Sequence, residues 1–368
     1  MDRIKKFISL YVPVTTCTLR CHYCYITQTR AFEGKLPQLK FSPETIKKAL
    51  SKKRLGGTCL INICGGGETL LPSQIVDYTR VLLEEGHYVM IVTNATTTQR
   101  FIEIAKFPKE LLNRLFFKFS FHYLELKAKK ILEVFFDNVL RMRDSGASFT
   151  LEVTPTDELV PYIDDMCDIA VAKVGAVPHI TIARDQKNEG TLPVLTKMGK
   201  KKYYETWDRL KSSLFEYKKE IFGVKRTEFC YAGAYSGLVN LGTGLMTQCY
   251  CSYYSQNIFK DINKPIKFTP VGNNCALEHC YNGHAFLVLG VIPELRAPTY
   301  GEIRNKKCVD GTEWLKPDMK NFMNTRLYES NEELSNYQKT LVNFQIKKTK
   351  AMQYLINSSR RLKNLIPR

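Results

Sequence analysis

Apolar positions in the first half of the chain fall into short, nearly unbroken runs: ISLYVPVTT (8–16), CLINIC (59–64), YVMIVTN (88–94), LFFKFSF (115–121), SFTLEVT (148–154) and VPHITIA (177–183). Such runs, rich in β-branched and aromatic residues, predict strands buried on both faces, as in a parallel sheet covered by helices. Helical patterns lie between them. SPETIKKALSKKR opens with Ser42 as an N-cap, Pro43 in the first turn and Glu44 at the positive end of the helix dipole. LPSQIVDYTRVLLEEG stops at Gly86, and Leu126 to Arg143 carries a stripe of Ile131, Leu132, Phe135, Phe136, Val139 and Leu140 that reads as core packing. Six β-then-α units in about 185 residues predict an α/β fold curled into a (βα)6 partial TIM barrel, because parallel crossovers are right-handed.

The pattern then changes. A basic stretch, Lys197 to Lys202, leads into an amphipathic helix over YYETWDRLKSSLFEYKKEIFG. FCYAGAYSGLVNLGTGLMTQCYC predicts a β-hairpin turning at Gly242-Thr243-Gly244. From Asn331 to Arg368 the chain reads as a basic helix whose Leu341, Phe344, Met352, Leu355 and Ile356 are expected to pack on the barrel. The expected divisions are a barrel over 1–190, a linker helix over 191–228, a small cysteine-bearing domain over 229–310 and a basic helical region over 311–368.

Composition narrows the class. With 44% hydrophobic and 24% charged residues in 368, neither a fibrous repeat nor a disordered chain fits. No apolar signal core follows MDRIKKF and no run reaches membrane-spanning length, so a cytoplasmic protein without membrane association is expected. Thiols stay reduced there, and 12 cysteines then point to metal or redox chemistry before disulfides. The net charge of +18 is scattered and accompanied by no RNA-binding motif. Nucleic acid is therefore not expected as a partner, and a zinc-containing nucleic-acid-binding protein stands as the competing class.

The cysteines are unevenly placed. Cys59, Cys64 and Cys167 sit inside apolar segments and read as small buried hydrophobes, while Cys308 has no assignment. Cys17, Cys21 and Cys24 form a C-x3-C-x2-C loop after the first strand. Three thiolates can hold one face of an iron-sulfur cubane and leave one iron open to a ligand; zinc would want a fourth ligand, and only His22 lies nearby. Downstream, the hairpin brings Cys230 and Cys249 together, and Cys275 and Cys280 are separated by one short turn, so four thiols can close a second site. Cys251 competes for the fourth place.

C-x3-C-x2-C followed by Tyr25 resembles the signature of the radical S-adenosylmethionine superfamily. That resemblance implies a catalytic 4Fe-4S cluster on Cys17, Cys21 and Cys24, S-adenosylmethionine as cofactor, and reductive cleavage to a 5′-deoxyadenosyl radical that abstracts a substrate hydrogen. It further implies that Tyr25 helps hold the adenine. Gly66-Gly67-Glu68-Thr69 after the second strand resembles the family's GGEP motif, which contacts the methionine amino group, with Thr69 replacing Pro. Thr93-Asn94-Ala95 resembles Thr-Asn-Gly, and Ser120 stands where a polar residue commonly meets the ribose. His122, Glu152, Thr154, Thr181 and Arg184 also end strands, where α/β active sites form. His122 is either a catalytic group or a satisfied histidine at the core edge, and Arg184 either the partner of the cofactor carboxylate or a surface ion pair.

Cys230, Gly244 and Cys249 satisfy C-x(9 to 15)-G-x4-C, which resembles the opening of SPASM and Twitch auxiliary-cluster domains. The C-x2-C-x5-C-x3-C run of a full SPASM domain is absent, so the shorter Twitch form, with one auxiliary 4Fe-4S cluster, fits better. The resemblance implies a peptide substrate (crosslinked, thioether-bridged or epimerised) or else a small metabolite, with a flavodoxin- or ferredoxin-like electron donor. No leader-binding domain precedes Cys17, so a peptide is expected to need a separate recognition protein or the later basic region.

Overall fold

The computed structural model describes residues 2–188 and 190–363, with side chains to residue 352. Six strands, β1 (Phe7–Val12), β2 (Leu60–Gly65), β3 (Tyr88–Thr93), β4 (Leu115–Ser120), β5 (Ser148–Val153) and β6 (His179–Ile180), pair in parallel in sequence order. Helices between them, such as Gln74–Glu84 and Leu132–Asp144, cover the outer face. This is the partial barrel that the apolar runs predict. β6 is only two residues long, far shorter than its apolar run.

The hairpin strands join the same sheet. β7 (Ser236–Asn240) pairs in parallel with β1 on the edge opposite β2, and β8 (Leu245–Thr247) and β9 (Ser255–Asn257) follow antiparallel. β1 is thus internal, and the loop that follows it is flanked on both sides.

Strand side chains alternate between two cores. Ile8, Leu10, Ile61, Ile63, Val89, Ile91, Phe117 and Phe119 face the helices. Phe7, Leu60, Met90 and Phe116 face a plug built from later chain, including Phe286, Tyr300 and Phe322. On that inner face the next residues along are polar: Ser9 after Phe7, Asn62 after Leu60 and Lys118 after Phe116. The barrel interior therefore runs from an apolar floor at the strand N-termini to a polar mouth at their C-termini.

Three helical predictions are refined. Ser42 caps Pro43–Ala49, its Oγ accepting from Thr45 N at 3.2 Å. The 126–143 pattern breaks at Lys130, whose φ is +57°, separating Tyr123–Ala128 from Leu132–Asp144. The 203–223 pattern splits into Lys200–Asp208 and Ser213–Ile221, because Lys211 adopts φ +45° and Ser212 restarts the helix as a cap. Ser212 Oγ also accepts from Ile180 N at 3.0 Å, tying the new helix to β6.

The tail stripe is corrected. Asn336–Lys363 is helical, but Leu341, Phe344 and Met352 are exposed, Phe344 by 67%. Docking uses a neighbouring face: Ile346 is buried, Asn343 bonds Asn273 and Asn274, and Lys350 donates to Asn274 O at 3.2 Å. The amphipathic pattern cannot tell which of two adjacent stripes meets the protein when polar loop groups can anchor the helix. Leu355 and Ile356 lie outside the residues whose side chains are described. Among the described residues no helix is long and apolar enough to cross a membrane.

Candidate active site

Cys17, Cys21 and Cys24 line one cleft at the C-terminal ends of the parallel strands, together with residues 65–69, 92–94, Ser120 and His122. The loop is held by its own backbone and by neighbours. Cys24 N donates to Cys21 O at 3.1 Å, Arg20 Nη1 donates to Cys17 O at 2.6 Å, and the Arg20 guanidinium lies 4.0 Å from the Phe32 ring. Asn94 Nδ2 stands 3.5 Å from Cys17 Sγ and 2.9 Å from Thr18 Oγ1. Burial raises all three thiols, pushing Cys21 up to about 12, so without a metal they keep their protons. Among the described residues no three His, Cys, Asp or Glu side chains are drawn into a finished metal-binding group. The donor set itself, three thiols of one loop around one cleft, fits the three-thiolate face of a 4Fe-4S cluster. His22 is exposed and sits 3.1 Å from Glu158, off this cleft, so a fourth ligand for zinc is not supplied from it.

The glycine loop is packed tightly against the cysteine loop. A Cβ on Gly67 would lie 2.0 Å from Thr16 O, and one on Gly66 would lie 2.7 Å from Val14 O. These obstacles are backbone atoms and cannot swing away. Gly67→Ala is therefore expected to cost at least about 1–3 kcal/mol in chemical denaturation, while an effect below about 0.5 kcal/mol would show that the two loops have room to part. Thr69, where the resemblance expects proline, has a role of its own: its Oγ1 accepts from Gly65 N at 2.8 Å and closes the turn.

Glu68 is buried and aimed away from solvent. Its carboxylate accepts from Thr93 Oγ1 at 2.6 Å, Asn94 N at 2.8 Å and Leu70 N at 2.9 Å. It thus fastens the β2 loop to the end of β3, and Thr93 and Asn94 stand in the cleft wall because of it. Burial raises its pKa while these three bonds oppose the rise. Ala95 is held at φ +57°, a left-handed conformation that favours the glycine of the resembling motif. Asn138 Nδ2 donates to its carbonyl at 2.9 Å and helps hold that turn.

The remaining predicted residues divide. Tyr25 hydroxyl donates to Gly66 O at 2.7 Å, linking the third cysteine to the glycine loop, with its ring partly exposed. His122 shares a 2.6 Å hydrogen bond through Nδ1 with Tyr23 hydroxyl, and burial lowers its pKa to about 4, so the ring is neutral. Its partner is a side chain, not backbone. Arg184 is placed elsewhere: it does not line this cleft, and its Nη1 donates to Tyr281 O at 3.0 Å in a neighbouring cavity. Among the described residues it makes no ion pair, so the surface ion pair is not what holds it. Tyr23 and Arg20 support the cleft through His122 and Cys17 without having been singled out from sequence, and Cys64, read there as a buried hydrophobe, lines it.

A second cavity is ringed by Cys230, Cys249, Cys275 and Cys280, with Tyr250, Phe286 and Leu287 on its walls. Cys230 is held by paired backbone bonds with Gly272, and the β7–β8 hairpin delivers Cys249. Burial pushes Cys230 up to about 12 and Cys280 up to about 11. Cys251 is not among the residues lining the cavity, though its Sγ is hydrogen-bonded to Cys275; it also accepts from Ala276 N at 3.3 Å and pairs with Tyr253 hydroxyl at 3.4 Å. Cys59 is fully buried, as its apolar surroundings predict, whereas Cys64 lines the first cleft.

Residues 11–159 match the model of the Radical SAM superfamily. The matched stretch spans β1 to β5 and contains the three-cysteine loop and the glycine loop. No curated protein sequence matches at a significant level. Similar solved structures include Streptococcus suis SuiB bound to precursor peptide SuiA (14% identity, TM-score 0.49, 71% of this chain and 64% of that one). Others are native anSMEcpe with bound AdoMet (15%, 0.45, 97% and 100%) and BtrN in complex with AdoMet and 2-DOIA (13%, 0.30, 75% and 81%). The chain spans 64% of the length of SuiB.

Proposed function

We propose that this chain, whose residues 11–159 match the Radical SAM superfamily model, is an S-adenosylmethionine-dependent enzyme that carries out hydrogen abstraction on a substrate held between the barrel mouth and a second iron-sulfur site. The observation that carries the reading is the convergence of Cys17, Cys21 and Cys24 with the Gly66-Gly67-Glu68 loop and Thr93-Asn94 around one cleft. Cys17, Cys21 and Cys24 would hold a 4Fe-4S cluster, which would supply the electron for reductive cleavage of S-adenosylmethionine and so the radical chemistry of hydrogen abstraction. The protein's part is positional. Glu68 holds Thr93 and Asn94 in the wall, Tyr25 fixes the Gly66 carbonyl, and Tyr23 and neutral His122 close the side near Ser120.

Cys230, Cys249, Cys275 and Cys280 are proposed to hold an auxiliary 4Fe-4S cluster in a Twitch-like region, since all four thiols face one cavity and Cys251 does not. Anaerobically reconstituted protein should carry about eight irons with matching sulfide. Cys230→Ser should fall to about four, and Cys251→Ser should keep about eight. Stoichiometric zinc in place of iron would favour the competing zinc-protein class. A peptide is proposed as substrate ahead of a small metabolite, with a flavodoxin- or ferredoxin-like donor and a separate peptide-recognition protein. Incubating the reduced enzyme with precursor peptides encoded beside its gene, and following the mass of each peptide together with 5′-deoxyadenosine, tests this. Turnover of a metabolite with no peptide product would overturn the peptide assignment.

A further inference from the structure

Beside the auxiliary cavity lies a third, into which Arg184, Lys218 and His284 face and whose wall includes Cys280 and Tyr281. Cys280 and Tyr281 also line the auxiliary cavity, so the two adjoin. Lys118 extends the group from the barrel interior, close enough to Arg184 and Lys218 for mutual repulsion to be felt. These residues come from four places, β4, the loop after β6, the helix Ser213–Ile221 and the helix Gly283–Phe286.

The charges do not balance. Glu152 is already shared between Lys118, at 2.9 Å, and the buried Arg304. Lys218 donates to Thr181 Oγ1 and Arg184 to the Tyr281 carbonyl, both uncharged acceptors. Among the described residues no carboxylate lies within ion-pair distance of either cation. Two half-buried cations facing one recess, with no anion of their own, are costly unless a ligand supplies one. Burial and neighbouring like charges lower Lys118 to about 7 and Lys218 well below its ordinary value.

We propose that Arg184 and Lys218, backed by Lys118, form an oxyanion-binding subsite for the substrate, which therefore carries a carboxylate or phosphate. The planar fork of Arg184 suits paired oxygens, and the lysine adds a point charge. This deepens the functional reading above and rests on it for the word substrate; the anion site itself does not.

The test separates the two. Reconstituted protein is titrated with glutarate and, separately, with inorganic phosphate at constant ionic strength, and the thermal midpoint is followed. Both anions should raise the midpoint of the parent, and the one with the larger effect identifies the group as carboxylate or phosphate. In Lys218→Met the rise should shrink at least tenfold in terms of the apparent binding constant, and the anion-free midpoint should be higher than the parent's, because a desolvated unpaired cation has been removed. Lys201→Met, at a fully solvated lysine of the 200–208 helix, should behave as the parent. No rise in the parent, or an equal rise in Lys218→Met, overturns the subsite. Failure of the parent to release 5′-deoxyadenosine would instead count against the functional reading and leave the midpoint result standing.

Discussion

Cys21→Ala is expected to abolish release of 5′-deoxyadenosine from S-adenosylmethionine under strong reduction, by at least about a thousandfold, equivalent to about 4 kcal/mol of barrier. Cys21 is the most buried of the three loop thiols, and burial alone holds it protonated, so it can act as a thiolate only when a metal displaces its proton. Alanine removes that ligand and leaves two sulfurs on a loop shaped for three. Iron should fall by about four per chain while the far-ultraviolet dichroism is retained. Cys167→Ala serves as the comparison, because Cys167 lies on the helix Ile163–Val174 and lines neither cysteine cavity. Its variant should keep both iron and cleavage. Parent-level cleavage by Cys21→Ala would remove the cluster from this loop altogether.

The largest loss of stability is expected from Glu152→Gln. The Glu152 carboxylate sits between Lys118 and Arg304, and Arg304 is fully buried with its guanidinium 4.7 Å from the Tyr300 ring. Glutamine keeps the shape and removes the negative charge that Lys118 and Arg304 share, leaving both cations without an ion-pair partner among the described residues. Breaking a buried pair in this way costs about 3–5 kcal/mol. Urea denaturation should show that loss as a lower midpoint with an unchanged slope. Arg304→Met combined with Glu152→Leu should lose less than Glu152→Gln alone, because one uncompensated cation, Lys118, remains in place of two. A loss below about 1 kcal/mol for Glu152→Gln would show that water reaches the pair.

Much of the barrel was legible. Continuous apolar runs such as LFFKFSF announce strands covered on both sides, and the loops after β1 and β2 carry the cysteines and glycines that gather in the cleft. Less legible was the meaning of single polar residues inside those runs. Lys118 interrupts an otherwise apolar strand, and alternation of side chains puts it on the inner face two positions beyond Phe116. That signal was available, but its significance depends on Glu152, Arg304 and Lys218, which are brought to it from far along the chain. Glu68 likewise reads from sequence as part of a cofactor motif, yet its carboxylate is spent on Thr93, Asn94 and Leu70. The helices were placed well and their interruptions were not, since Lys130 and Lys211 take left-handed conformations that no residue preference announces.

What the amino-acid order determined by itself is the local chemistry: strand and helix periods, a loop with three thiols, and a glycine run able to lie against another backbone. These depend on neighbours within a few positions, where spacing and residue type are enough. Tertiary structure decided the long-range pairings. It placed β7 beside β1, turned Arg184 from the cofactor cleft toward Tyr281, chose Ile346 over Leu341 as the docking face of the last helix, and left Cys251 off the cavity that four other thiols share. Each of those outcomes turns on which distant groups compete for the same buried surface or hydrogen bond, and that competition exists only once the chain has closed on itself.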